Sequence, residues 1–87
     1  VNGNPVQVEG LEINEVVDGF IIYDSKTDRV HVLNHTAAFI LQLCNGKHSI
    51  EEILEITQKA YSLPSIPEAE IREHVDRLTK EGLIRYD

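Results

Sequence analysis

One cysteine, four histidines and several carboxylate pairs are the residues of this chain whose chemistry needs weighing. A cysteine nucleophile works as its thiolate, which needs a cationic neighbour, a helix N-terminus or a metal to form at neutral pH. Cys44 instead closes a run from Ala37 in which only Gln42 is plainly polar, so a buried, inert thiol is expected. His31, His35, His48 and His74 are spread over a predicted strand, two helix starts and a helix face. No two of them share a predicted helix at i,i+4 spacing, nor does any pair so with Cys44, and no metal centre is expected. His31 lies on a predicted strand, where it is either a ligand contact or part of the solvated face of an edge strand.

The carboxylates have a simpler account. Glu51-Glu52 and Glu68/Glu70 fall in the first turns of predicted helices, where negative charge complements the helix dipole. Glu68/Arg72, Arg72/Asp76, Glu73/Arg77, Asp76/Lys80 and Arg77/Glu81 repeat at i,i+4 spacing, the pattern of a solvated helix face stabilised by about 0.2–0.5 kcal/mol per pair. The five glycines are scattered, and none leads a strand into a helix as a phosphate-binding loop requires. Neither an enzyme nor a bound cofactor is expected.

The elements that position these residues follow from period and punctuation. Residues 1–10, with Gly3, Pro5 and Gly10, suggest a loose arm or an irregular first strand. Leu11 to Val17 alternates as a half-buried strand with a bulge expected at Val16-Val17. Asp18-Gly19 is a hairpin signal, making Phe20 to Tyr23 the return strand. After the polar turn Asp24 to Asp28, Arg29 to Leu33 alternates again, with Val30 and Val32 on one face and Arg29, His31 and Leu33 on the other. This third strand ends a meander, so one of its edges is free or covered by another element.

Asn34 is a favoured N-cap for an almost wholly apolar helix, which belongs in the middle of a core and which Asn45-Gly46 should stop. Ser49 and Glu52 form a capping box for a second helix with Ile50, Ile53, Leu54, Thr57, Ala60 and Tyr61 on one face. Beyond the break at residues 63–67, Ser65 and Glu68 offer a second box. A third helix there carries Ile71, Val75 and Leu78 as its stripe and stops at Gly82. Leu83 and Ile84 should fold back on the core. Three strands followed by three helices imply an α+β fold, with the helices on one side of a three-stranded antiparallel sheet.

The whole chain sets outer limits. Its 87 residues, 41% of them apolar, suit one domain with one core. A lone cysteine cannot form an internal disulfide, which points to a reduced, cytoplasmic protein. No apolar run approaches the ~20 residues that cross a bilayer, and the polar start lacks the form of a signal peptide. Eight basic against fifteen acidic residues give a formal charge of −7, which disfavours nucleic acid and anionic membrane as partners. Glu9, Glu12, Glu15, Asp18, Asp24 and Asp28 face Lys26 alone in the first 28 residues. A solubilising charge is the better reading of that imbalance than an acidic docking patch.

From Leu33 to Ser49 the chain reads L-N-x-T-A-x-x-I-L-x-L-C-x-G-x-x-S. This run closely resembles the PqqD-like family of peptide-binding proteins, the RiPP recognition elements. The likeness extends over Val30 to Gly46, the Ser49 to Ile53 helix start, Tyr61, and Leu78 to Leu83 with its Glu-Gly-Leu ending; the first nineteen residues match poorly. The resemblance implies a winged-helix-like domain that is no catalyst. It implies a peptide chaperone that binds the leader of a ribosomally made precursor peptide and presents it to a modifying enzyme, typically a radical SAM protein, as in pyrroloquinoline quinone (PQQ) biosynthesis.

Carried over, it places the peptide as an added strand on Arg29, Val30, His31, Val32 and Leu33. Side chains drawn from Ile71, His74, Val75 and Leu78 of the third helix would stand beside it, and Arg72 and Arg77 would attract leader carboxylates. The apolar three of these also read as ordinary core contacts. The competing class is a winged-helix transcription regulator, but Glu68 to Gly82 has five acids against three Lys or Arg, the wrong charge for a helix that reads DNA.

Overall fold

Alternation and turn residues divide the first third of the chain into strands. The computed structural model describes residues 3–86 and holds, in order, β1 (Pro5–Gln7), β2 (Leu11–Val16), β3 (Gly19–Asp24), β4 (Arg29–Leu33), α1 (His35–Leu43), α2 (Ile50–Ala60), α3 (Glu68–Lys80) and β5 (Ile84–Tyr86). β2, β3 and β4 form the expected antiparallel meander, in which β3 is central. Ile13 faces Ile22, and Ile22 faces His31, across one side of it. The fold is α+β, with a second sheet that the sequence pattern does not announce. Pro5 to Gln7 are too few residues to show a period, yet they pair antiparallel with Tyr86 to Ile84. Residues 5–7 of the initial arm are thus a strand; Val1 and Asn2 lie outside the described residues.

Two local expectations are corrected. The first hairpin turns at Val17-Asp18, since Val16 pairs with Gly19, and Val17 is a 93% exposed turn residue rather than half of a bulge. Gly19 is needed for closeness: a Cβ there would run into the Leu33 carbonyl oxygen. Without that glycine, the end of β4 and the start of α1 would have to move off β3.

The second correction concerns α3, whose N-cap is Pro67, without any side-chain cap. The Glu68 amide turns back to the Ile66 carbonyl at 2.9 Å and the Glu68 carboxylate accepts from Arg72 Nε at 2.8 Å, so Ser65 caps nothing there. The other two helix starts follow the sequence. Ala37 N donates to Asn34 Oδ1 at 2.8 Å, and Ser49 and Glu52 close a reciprocal box. α1 stops just before Asn45-Gly46, with Cys44 as its C-cap, and Gly46, left-handed at φ 81°, gives its amide to the Pro5 carbonyl at 3.0 Å.

The core gathers on the inner face of the meander. Ile22 and Leu33 from the sheet, Ala37, Ala38, Ile40 and Leu41 from α1, Ile53 and Leu54 from α2, and Ile71, Val75 and Leu78 from α3 are all buried together. Leu83 and Ile84 complete this cluster and hold β5 against it. Each of the Leu, Ile and Val side chains stabilises the fold by about 1.5–3 kcal/mol through burial. Because α1 touches α2, α3, β3 and β4, its lack of a polar face is explained. On α2 the stripe runs out early: Ile53, Leu54 and Thr57 are buried, while Ala60 is exposed and Tyr61 packs edge-on against Phe39 at 5.5 Å between ring centres.

Candidate functional site

Antiparallel pairing determines which backbone groups of β4 are free. The Ser25 amide donates to the Gly10 carbonyl at 3.0 Å, and Val16 pairs with Gly19 across a two-residue turn, so the odd-numbered residues of β3 bond to β2. Its even-numbered residues must then bond to β4, where Phe20 faces Leu33, Ile22 faces His31 and Asp24 faces Arg29. Arg29, His31 and Leu33 therefore spend their N–H and C=O groups on β3. Val30 and Val32 direct theirs outward, along the edge of a strand with no second neighbour in the sheet.

The side chains alternate in step with this. Val30 and Val32 stand on the outer face, 62% and 77% exposed, whereas Leu33 is buried and His31 half-buried on the inner face. His31 reaches the last turn of the neighbouring helix, with Nδ1 3.0 Å from Glu81 Oε1. Glu81 is the C-cap of α3, so this contact ties the middle of the edge strand to the helix end.

The residues of α3 divide around its axis. Ile71, Val75 and Leu78 are 1, 3 and 1% exposed: they are core. His74, half-buried, lies seven positions before Glu81 and so on nearly the same side of the helix. Arg72 lies nine positions before Glu81, which at 3.6 residues per turn is about half a revolution away. There it meets Glu51 at 3.8 Å and Glu68 at 2.8 Å, beside Ile50 and Tyr86. The strand edge, His31 and Glu81 thus come together, His74 lies on that side of the helix about two turns away, and Arg72 sits on the opposite flank. Glu81 was missed in sequence because its i,i+4 spacing to Arg77 offered a local partner, while the partner it bonds lies fifty residues away.

Other ionisable groups serve the frame. Asp24 is 4% exposed and accepts from the Lys26 amide at 3.0 Å and the Thr27 amide at 3.4 Å. Burial pushes its pKa up, but these bonds outweigh burial and hold it below the ordinary value. Tyr23 donates to Asp28 Oδ1 at 2.7 Å, which raises the phenol.

Burial pushes the Cys44 thiol up to about 11, and the side chain is wholly enclosed. At neutral pH the native protein should therefore react with a thiol reagent at least about a hundredfold more slowly than after denaturation. Cys44→Ala should cost about 1 kcal/mol of stability through lost packing. A fast native reaction in a thiol titration would contradict both.

Fold and edge together define a class: a small α+β module in which a strand edge with outward backbone groups lies beside the last turn of a helix. The chain belongs to the PqqD family, described as coenzyme PQQ synthesis protein D, whose sequence profile matches residues 19–84. It is similar to a curated protein of Methylococcus capsulatus named "PqqA binding protein", with 38% identity over 53 residues. That match takes in 61% of this chain and 56% of the relative, so the chain spans about half the length of the protein it resembles.

Two solved structures share the fold. A lasso peptide synthetase B1, solved in complex with a leader peptide, superposes with a TM-score of 0.74 at 19% identity, covering 94% of this chain and 98% of that one. The heterocyclase TruD gives a TM-score of 0.68 at 17% identity, covering all of this chain but 12% of the larger protein.

Proposed function

We propose that this protein is a non-catalytic peptide chaperone, which binds the leader of a ribosomally made precursor peptide by strand addition to β4 and presents it to a modifying enzyme. The observation that carries this reading is the pair of outward-facing residues, Val30 and Val32, on a strand with one neighbour in its sheet. An extended peptide can pair there, with alternate side chains turned toward the helix and toward the outer face. A relative named for binding PqqA, and a fold neighbour solved with a leader peptide, support it.

In this reading Arg29, Val30, His31, Val32 and Leu33 form the pairing strand, and His74 and Arg77 line its helix side. Ile71, Val75 and Leu78 form the floor beneath. Arg72, half a revolution away, is held on the far flank by Glu51 and Glu68. PqqA is the first candidate for the peptide, a radical SAM protein for the enzyme, and the cytoplasm for the place. Four or so backbone hydrogen bonds at ~1 kcal/mol each and two apolar contacts at ~1.5–3 kcal/mol each, less the cost of association, make micromolar affinity reasonable.

The test is a titration with synthetic PqqA peptide, and with random duplex DNA for contrast, followed by backbone amide shifts. Shifts should concentrate at Arg29 to Leu33 and along Ile71 to Leu78, with no response to DNA. Shifts confined to Leu11 to Tyr23 would move the site to the wrong strand and overturn the mechanism.

A further inference from the structure

His31 leaves one polar atom unsatisfied. Nδ1 meets the Glu81 carboxylate, the side chain is 11% exposed, and Nε2 is buried with no hydrogen-bond partner among the described residues. A carboxylate only accepts, so Nδ1 carries the proton of this contact; in the neutral ring Nε2 is then a lone-pair acceptor that lacks a donor. A buried acceptor in that condition has lost its water and gained nothing in return.

An arriving strand would meet this ring at one position. Val30 and Val32 supply the outward backbone groups, so in an antiparallel arrival they make the hydrogen-bonded pairs, and the ligand residue opposite His31 falls in the non-bonded pair between them. Opposed side chains lie on the same face of a sheet with Cβ atoms about 4.5–5.5 Å apart, closest in the non-bonded pairs. His31 occupies the inner face, and the ligand residue opposite it must point there too. Its two neighbours point instead to the outer face, beside Val30 and Val32.

Resting on the strand-addition reading above, we propose that His31 selects the ligand side chain opposite it, and that the side chain taken is one with an O–H or N–H donor, which Nε2 accepts. An apolar side chain would leave Nε2 unsatisfied. An acidic one would offer no donor and would bring a second carboxylate to a ring whose other nitrogen already holds Glu81. This differs from the apolar anchoring expected from Ile71, Val75 and Leu78, which the core already occupies.

The experiment is imidazole nitrogen NMR on the whole chain, titrated with synthetic PqqA peptide and with versions in which each donor-bearing side chain is replaced in turn by Ala. The affinity of each peptide is also measured for a His31→Phe variant. At saturation Nε2 should shift from its free-protein position as a hydrogen-bonded acceptor does. One Ala replacement should weaken binding to the native protein by roughly five-fold, the scale of one hydrogen bond, and bind His31→Phe as tightly as the parent peptide does.

An Nε2 signal unmoved at saturation, an Nε2 protonated in the complex, or replacements that act alike on both proteins would overturn the proposal. Amide shifts at Val30 and Val32 in the same titration would show that strand addition survives such a failure. Their absence would remove both readings. Should His31→Phe not fold, the imidazole signal of the native protein decides alone.

Discussion

Val32→Pro should weaken binding of the PqqA peptide by about tenfold or more while leaving the protein folded. The Val32 N–H points away from β3 by the parity of the sheet, so proline there removes no hydrogen bond of the ladder. It removes the donor offered to an added strand and sets a ring against the edge where that strand would lie. One lost hydrogen bond of ~1 kcal/mol and the steric block together give the magnitude. His31→Pro is the contrasting variant. The His31 amide bonds within the pair that faces Ile22, and its loss should unravel the edge of the sheet and release the tie to Glu81. Calorimetric titration with thermal melts separates the two: a Val32→Pro protein that melts normally and binds normally would show that β4 is not the pairing edge.

Leu78→Ala should produce the largest loss of stability among the residues considered for binding, about 2–5 kcal/mol. The side chain is 1% exposed and packs with residues of the sheet and all three helices. Against a typical total of about 5–15 kcal/mol, that loss would remove a large share of the chain's stability. Peptide affinity of the fraction that remains folded should change by no more than a few-fold. Denaturant unfolding alongside titration checks both parts, and a Leu78→Ala protein that is stable but cannot bind would make Leu78 a ligand contact.

The fold was legible where one residue's local chemistry sufficed. Asn34 and the Ser49/Glu52 pair acted as their types predict, because a cap is satisfied within one turn of backbone. The third helix start was misread for the same local reason: Ser65 and Glu68 have the right spacing, but Pro67 between them fixes the chain in a geometry that Ser65 cannot cap. β1 was only one of two readings of the arm and β5 was not read as a strand, since three residues carry no period and the pairing that stabilises each lies some eighty positions away.

Legibility of the candidate site divides in the same way. Alternation assigned Val30 and Val32 to one face of β4 and His31 to the other, as they stand. Which of these faces water, and which amides face outward, depends on β3 and on the turn after β2. Helical periodicity found the stripe of Ile71, Val75 and Leu78, but a stripe alone does not separate a core from a groove. The contact between His31 and Glu81 is tertiary, and no spacing along the chain encodes it.

The pairing of β1 with β5 has a consequence for architecture. Pro5 stands opposite Tyr86, so the chain enters and leaves this fold at one place, and a longer polypeptide could carry it as an insert or an extension without stretching across the binding edge. The same framework is found making up 12% of TruD's chain and 98% of the lasso synthetase chain. A fold whose ends meet can stand by itself or be built into a larger chain with little change to its frame.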